Sequence, residues 1–514
     1  MNKIAGIVAG VVVTVGVIST AGAWYTGTQL PGVLQNAVEE ANRQGQDALL
    51  GTGYAGKLEL VSLESRLFTS TAHYRFSFDM PVEGGAPRHV EILLVDNIEH
   101  GPLPVSRLKR LNLWPVMAAS NYALQATDFT QPWFDAAKGA TPVSGQGAVG
   151  YDLSTRGTLV FAPLDFAPTP TATVKFSGMT LDFDASRHAR NVVVNGSMDS
   201  LLVHLANDQG TPITAELRGL TVASDQHLGS GDFYLGDSGL TLATLQLNVG
   251  DKPAVLAKNV SQFGSLDEVG GLLGGRFGYD VGMVSYDGKD VAGMHMLWTA
   301  KNFDASAVQS LIELYRDKVA PVQHAQAANE EAPQVVLTAA EEQRLKADLE
   351  KLLSAKPQIA LEKYSINTSN GEASLSLHVD LSKPASFELP QPELAKQMIA
   401  QLDAKLSIDK AVIGDGIRAQ AQFDGQTDAK TIEDQAAMLT EMGSGMALGS
   451  GLLTLEGDTL KSSLHYATDK VTFNGQAMSV EEFAMFVMSK VNGVTGGVGA
   501  GNQPDGSTPG ESYP

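Results

Sequence analysis

The strongest constraint on this fold is a hydrophobic period of two, which begins after Gly56 and continues to about Trp298. Two early runs alternate apolar with polar side chains, the apolar ones being Tyr74, Phe76, Phe78 and Met80, then Val90, Ile92 and Leu94. Successive side chains of a strand point to opposite faces, so this pattern predicts half-buried strands. A loop-rich stretch interrupts the pattern over residues 115–150. We therefore predict an α+β fold dominated by β structure, with a large antiparallel meander over residues 51–319.

A smaller α+β region is predicted over residues 338–492. Thr338 and Glu341 have the spacing of a capping box and open its first helix. Two hairpin turns are predicted between alternating runs, at Asn370-Gly371 and at Gly457-Asp458. Further helices are predicted over residues 391–402, 431–448 and 479–491, with Ser479 and Glu482 as a second capping box.

Two segments have the composition of connecting or unstructured chain. Residues 320–337 are predicted to link the two regions. The glycine-rich residues 493–514 hold too little apolar mass to pack, so we predict a disordered tail.

The N-terminus carries a long apolar run without a charge, over residues 4–24. As a helix it would span ~31 Å, close to the ~30 Å hydrocarbon core of a bilayer. The predicted anchor covers residues 1–25, with Lys3 at the cytoplasmic interface and Trp24 and Tyr25 at the other one. A juxtamembrane amphipathic helix is predicted within residues 26–50. The alternative is a signal peptide cleaved after Ala23, which delivers the bulk of the chain to the same side of the membrane.

Composition and motif spacing argue against several function classes. The formal charge is -21, whereas nucleic-acid binding needs clustered Lys and Arg. The chain has no cysteine, and its histidines show no metal-binding spacing. Asp182 and Asp184 lie on the same side of a predicted strand, and two carboxylates on a solvated face are the ordinary interpretation. We predict no catalytic residues, no cofactor and no metal, and hence no enzyme.

A short basic segment stands out in this acidic chain, in "HGPLPVSRLKRLNLWP" over residues 100–115. Arg107, Lys109 and Arg110 would lie largely off the apolar side of a short helix. One interpretation is a solvated helical turn that closes the first β region. The other is a contact patch, made by these cations and Trp114, for acidic lipid headgroups or an acidic partner subunit.

Methionines recur on one face of the helix predicted after Thr431, at Met438, Met442 and Met446. Methionine stripes usually fill cores. The alternative is a surface that accepts apolar partners or lipid tails.

Several motifs together resemble one family, and they extend from the anchor to the last helix: "AWYTGTQL" at Ala23, "HGPLPVSRLKRLNLWP" at His100, "WFDAAKGATP" at Trp133, "LDAKLSI" at Leu402 and "HYATDKVTFNGQAMSVEEF" at His465. The chain resembles the YdgA-like family of Gram-negative bacteria. The resemblance implies a protein anchored in the inner membrane, facing the periplasm and homodimeric, with no established biochemical activity. It supplies no catalytic residues.

Three functions are compatible with these features. The first is a non-enzymatic envelope protein that acts by binding a partner or itself. The second is a carrier of lipid or another apolar ligand, because long antiparallel meanders behind an inner-membrane anchor resemble the groove-forming AsmA-like class. The third is a hydrolase with an unrecognised site.

Overall fold

The computed structural model describes residues 30–49, 56–66, 68–80, 88–169, 171–207, 210–231, 233–327 and 334–498. The predicted anchor, with Lys3, Trp24 and Tyr25, lies outside the described residues, as do residues 499–514 of the predicted tail. The chain divides into two compact units, Met1–Pro357 and Gln358–Pro514. The structure is dominated by antiparallel β structure with a smaller helical part, which confirms the coarse fold prediction.

The strands of the first unit are β1 (Gly56–Ser65), β2 (Thr69–Met80), β3 (Arg88–His100), β4 (Ala118–Leu124), β5 (Val143–Val149), β6 (Thr155–Phe161), β7 (Leu164–Thr169), β8 (Ala172–Phe176), β9 (Met179–Ala185), β10 (Asn191–Ala206), β11 (Pro212–Leu228), β12 (Tyr234–Val249), β13 (Val255–Val269), β14 (Leu272–Tyr286) and β15 (Lys289–Asp304). Strands β1 to β6 pair in sequence order, β6 pairs with β9, and β9 to β15 again pair in order, every pair antiparallel. The hairpin of β7 and β8 joins through β8 to β10.

The helices of the first unit are α1 (Leu30–Leu49), α2 (Val105–Lys109), α3 (Gln131–Ala136), α4 (Ala305–Leu314), α5 (Ala320–Ala327) and α6 (Ala339–Ser354). A π-helical turn over Tyr315–Val319 joins α4 to α5. The first residues of the predicted linker are therefore helical. The predicted capping box at Thr338 and Glu341 is present at α6.

The main core of this unit forms where α1 covers one face of the sheet. Leu34, Val38 and Ala41 of α1 pack against residues that include Leu58, Tyr74 and further buried side chains of β3 to β6 and β9. Asn42 also bonds both backbone groups of Leu58, at 2.7 Å to its N–H and 2.9 Å to its carbonyl. The predicted amphipathic helix is thus a structural layer of the first sheet.

The second unit is built from β16 (Gln358–Asn367), β17 (Glu372–Leu381), β18 (Ile399–Asp409), β19 (Thr454–Glu456), β20 (Thr459–Ala467), β21 (Lys470–Phe473) and β22 (Gln476–Ser479). Its helices are α7 (Gln391–Met398), α8 (Lys410–Phe423), α9 (Ala429–Ser450) and α10 (Val480–Val498). Both predicted hairpins form, as β16–β17 and β19–β20. The predicted capping box also forms, with Ser479 and Glu482 bonding each other's backbone N–H groups.

Two details of the second unit differ from the sequence-based expectation. The helix predicted over residues 391–402 ends at Met398, because the chain then enters β18 and pairs with β17 and β20. Helix α9 turns Ile432, Ala436 and Thr440 inward and leaves its methionines exposed. The methionine stripe therefore does not fill the core of this unit.

Candidate functional site

The basic segment forms a protruding loop between β3 and β4, which we call the tip, residues 101–116. Its two ends are closed by backbone hydrogen bonds, from Gly101 N–H to the Met117 carbonyl at 2.7 Å and from Val116 N–H to the Pro102 carbonyl at 3.0 Å. Glu99 accepts the N–H of Ser106 at 2.8 Å, which fixes the start of α2. The tip is thus an ordered loop whose ends are fixed by hydrogen bonds.

Most apolar side chains of the tip face solvent. The exposed fractions are 46% for Leu103, 59% for Val105, 37% for Leu108, 85% for Leu111, 64% for Leu113 and 79% for Trp114. The apolar side of α2 is therefore not buried against the sheet. A helix of five residues is too short to bury a stripe.

The tip also holds a leucine in a left-handed conformation. Leu111 follows α2 with φ at 59°, and its N–H bonds the Leu108 carbonyl at 3.0 Å. The next N–H, of Asn112, reaches back to the Arg107 carbonyl at 3.0 Å. These two bonds form a Schellman motif, in which glycine or asparagine usually takes the position of Leu111.

The cations of the tip point in different directions. Arg107 donates to Asn112 Oδ1 at 2.8 Å, and Arg110 donates to Asn121 Oδ1 at 3.1 Å. Burial, with a smaller effect of the charge on Arg110, lowers the pKa of Arg107. Lys109 is exposed. Arg107 and Arg110 thus face the sheet beside the tip, and Trp114 stands away from it.

A cavity of about 420 Å³, lined mostly by polar and charged residues, lies between the tip and the sheet. Arg107 and Arg110 line it from the tip, and Arg156, Asp182 and Asp184 line it from the sheet. Arg156 forms an ion pair with Asp184, and Thr158 donates to Asp182 at 2.5 Å. The two aspartates of the sequence analysis therefore have partners. Their position beside two arginines was missed.

The floor of this cavity belongs to a polar row that crosses seven strands. The paired residues, from β2 to β10, are Thr71, Asn97, Asn121, Gln146, Thr158, Asp182 and Asn195. The alternation of each strand predicts that such residues face away from the core. It does not predict that they line up, because register is set by pairing between strands.

Beyond the main core, two rows of paired apolar residues cross β10 to β15, which we call the apolar rows: Met198, Leu220, Leu242, Val260, Val281 and Met294, then Leu201, Leu217, Leu245, Ala257, Val284 and Ala292. The first row lies on the core face of the sheet. The second row lies three residues away on β10 to β14, and the left-handed residues Gly219 and Asn259 interrupt the alternation of faces between the two rows. The packed cluster that the described residues form on this half is a small one around Leu235, Leu273 and Ala305. The residues of the apolar rows belong to neither cluster. Met198 and Leu242 are nevertheless buried, and the other residues of the rows are half-buried.

On each strand, a residue adjacent in sequence to the first apolar row points to the opposite face of the sheet. They are Ser197, Thr221, Thr241, Ser261, Asp280 and His295. Thr221 and Thr241 bond each other at 2.6 Å, and His295 bonds Asp280 at 2.5 Å. Along the first apolar row, this half of the sheet therefore has one apolar and one hydrogen-bonded polar face.

The methionines predicted as an apolar-ligand face are exposed on α9. Met438 is 62% exposed, Met442 54% and Met446 68%. They lie in the second unit, whereas the apolar rows and the tip lie in the first. Their role as a ligand face stays a prediction.

Comparison with known proteins identifies the family. Residues 1–481 match the family described as "Bacterial protein of unknown function (DUF945)". The chain belongs to the DUF945 family. The match covers the first unit with its tip and most of the second unit.

Two relatives from Escherichia coli (strain K12) extend over nearly the whole chain. Protein YdgA is 27% identical over 516 residues, covering 96% of this chain and 98% of its own. The uncharacterized protein YihF is 27% identical over 491 residues, covering 92% and 97%. An uncharacterized protein of Haemophilus influenzae (strain ATCC 51907 / DSM 11121 / KW20 / Rd) is 27% identical over 192 residues, covering 36% of this chain and 49% of its own.

The resemblance to YdgA-like proteins predicted from the motifs is thus confirmed for this DUF945 member. No solved structure matches the chain. Among the helices in the described ranges, none is long and apolar enough to span a membrane.

Proposed function

We propose that this DUF945 protein is a membrane-tethered, periplasmic binding protein without catalytic activity, and that its apolar rows hold an apolar ligand such as a lipid acyl chain. The observation that carries the proposal is the continuation of the core face of the sheet across β10 to β15. On β1 to β6 that face is packed in a core to which α1 and α3 contribute. On β10 to β15 apolar side chains continue in rows that belong to neither packed cluster of the described residues.

The dimensions of this surface suit an acyl chain. Six strands at about 4.8 Å spacing give a width of roughly 24 Å. Along the strands the two rows lie three residues apart, which is roughly 10 Å at about 3.3 Å per residue. One acyl chain spans about half of a ~30 Å hydrocarbon core, so one chain fits along the rows.

The absence of catalysis is part of the proposal. Ser70 and His100 are 3.0 Å apart between Oγ and Nε2, which is the contact that a serine nucleophile needs. However, Ser70 is 1% exposed, so a substrate does not reach its hydroxyl. The nearby carboxylate, Asp96, accepts from Ser120. This supports a structural role for the Ser70–His100 pair.

The test compares lipid retained by matched variants of the full chain. Val260→Thr with Val281→Thr places hydroxyls among the apolar rows at nearly constant volume. Thr221→Val with Thr241→Val makes the reverse change on the polar face and is the control. All variants share the N-terminal segment, so lipid held by that segment cancels from the comparison.

Lipid bound after purification is then identified and quantified by mass spectrometry. A hydroxyl without a partner in an apolar contact costs about 1–3 kcal/mol, so we expect the Val→Thr pair to retain at least tenfold less lipid. The control should retain as much as the natural chain. Equal retention by all three proteins would reject the apolar rows as the ligand surface.

The periplasmic position needs a separate test. The test uses a reporter enzyme that functions only outside the cytoplasm, fused after Pro514. We expect this reporter to be active. Activity of a cytosolic reporter at the same place would contradict the proposed orientation.

A further inference from the structure

The tip combines features of a segment that enters a membrane surface. The large apolar side chains at Leu111, Leu113 and Trp114 are each more than 60% exposed. They lie next to Lys109 and Arg110, in a chain whose formal charge is -21. Exposed apolar residues interleaved with cations are typical of segments that lie in the interface of an anionic bilayer.

Leu111 supplies an independent observation. A left-handed conformation costs an L-residue about 1–2 kcal/mol, and glycine avoids this cost. Burial does not compensate, because the Leu111 side chain is 85% exposed. A leucine at this position therefore lowers stability in the isolated chain, and its side chain gains free energy only when something apolar covers it.

The shape of the exposed groups favours a bilayer over a protein as the covering partner. Side chains that are 64–85% exposed protrude singly from the loop, and a protein would need a matched pocket for each of them. A fluid bilayer accommodates protruding groups without such pockets. Trp114 is also of the residue type most enriched at the membrane interface.

We propose that the tip is a membrane-docking element that inserts Leu111, Leu113 and Trp114 into an anionic phospholipid surface, whose headgroups attract the positive charges of Lys109 and Arg110. The same contact would keep the tip end of the first sheet at the bilayer. The inference shares with the proposed function only a position at the cell envelope. It does not require that the apolar rows bind a ligand.

The experiment uses the absence of cysteine from the chain. Leu113→Cys creates a single labelling site, to which an environment-sensitive NBD fluorophore is attached in the otherwise natural full chain. Asp251→Cys, at an exposed turn residue between β12 and β13, gives the control label. Each labelled protein is reconstituted in vesicles of phosphatidylcholine alone or with about one-third phosphatidylglycerol.

We expect the emission at position 113 to rise at least twofold with a blue shift in the anionic vesicles, and to change little in phosphatidylcholine. Emission at position 251 should be the same in both. Adding Lys109→Gln and Arg110→Gln should weaken the docked state by roughly 30-fold, from about fivefold per cation near an anionic surface. High salt should act in the same direction.

A fourth variant separates docking from folding. Leu111→Gly in the labelled chain should lower the emission in anionic vesicles while leaving the chain at least as stable. Unchanged emission at position 113 in every vesicle would overturn the proposal, and an equal response in both compositions would overturn its anionic part. Selective capture of an acidic protein by the tip, lost with Lys109→Gln and Arg110→Gln, would assign this surface to a protein partner instead.

Discussion

Ser120 donates a hydrogen bond of 2.6 Å to Asp96 inside the core of the first sheet, where both residues are at most 1% exposed. Burial raises the pKa of Asp96 to about 6, against the hydrogen bonds from Ser120 and the backbone N–H of Asn121. Asp96 Oδ2 and the nearby Tyr74 hydroxyl have no hydrogen-bond partner among the described residues. A carboxyl group on the core face of β3 therefore has a direct consequence for stability.

The first prediction concerns pH. The pKa of Asp96 is higher in the folded chain than the value near 3.9 of an unfolded one. Its contribution to stability is therefore complete below pH 4 and is lost as the pH rises through about 6. Between pH 5 and pH 7.5 the free energy of unfolding of the natural chain should fall by about 1 kcal/mol relative to Asp96→Asn.

Urea unfolding of both proteins at the two pH values measures this difference. All other titrating groups are shared, so they cancel from the comparison. A natural chain that gains stability relative to Asp96→Asn over this range would show that the carboxylate is stabilised in the fold.

The second prediction concerns the Schellman motif of the tip. Leu111→Gly relieves the left-handed strain and removes an exposed leucine, so it should raise the free energy of unfolding by roughly 1 kcal/mol. Leu113→Gly, outside the motif, is the matched control and should not be stabilising. Chemical denaturation in the absence of lipid gives both values. Destabilisation by Leu111→Gly would mean that this leucine packs against the chain.

The third prediction concerns glycines beneath aromatic rings on the core face. A Cβ atom at Gly145 would approach the Tyr122 ring to 2.3 Å and the Thr158 carbonyl oxygen to 2.5 Å. The Tyr122 hydroxyl is tied to that same carbonyl at 3.1 Å, so the ring does not move freely. Gly145→Ala should therefore cost about 3 kcal/mol.

Gly443 in α9 is the control for this substitution. Apart from its chain neighbours and the backbone of its own helix, no atom lies within 4 Å of a Cβ built there. Gly443→Ala should stabilise the chain by about 1 kcal/mol through helix propensity. Thermal unfolding of both variants checks the opposite signs, and a tolerated Gly145→Ala would show that the β4–β5 pair adapts easily.

The fourth prediction concerns the methionines of α9. Because Met438, Met442 and Met446 are more than half exposed, replacing all three with glutamine should change the free energy of unfolding by less than about 0.5 kcal/mol per site. Ile432→Ala, at a buried position of the same helix, should cost about 2–5 kcal/mol.

Sedimentation of the same triple variant tests the homodimer that the YdgA-like resemblance implies. A weaker dimer with unchanged stability would assign the methionine face to self-association. A large loss of stability would instead show that this face is packed.

The strands and several helix ends were predictable because their signals are local. Alternation predicts each strand from a few residues. The sequence Asn370-Gly371 predicts a hairpin because these two residues favour the tight turn by themselves. The sequence identified the tip as a basic segment, but it did not show that the apolar side chains of the tip face solvent. A sequence does not show whether a leucine such as Leu111 meets another part of the chain.

The candidate surfaces depended on contacts between distant residues. The sequence by itself determined a β-dominated chain with alternating faces, because side-chain direction follows from the backbone of each strand. The tertiary structure decided which polar residues line up beneath the tip and which apolar rows lie outside the packed clusters. Thr158 and Asp182, for example, meet across 24 residues because β6 pairs with β9 past an intervening hairpin. The register of the strands and the packing of one face against other elements depend on contacts over the whole sheet. No local sequence pattern specifies those contacts.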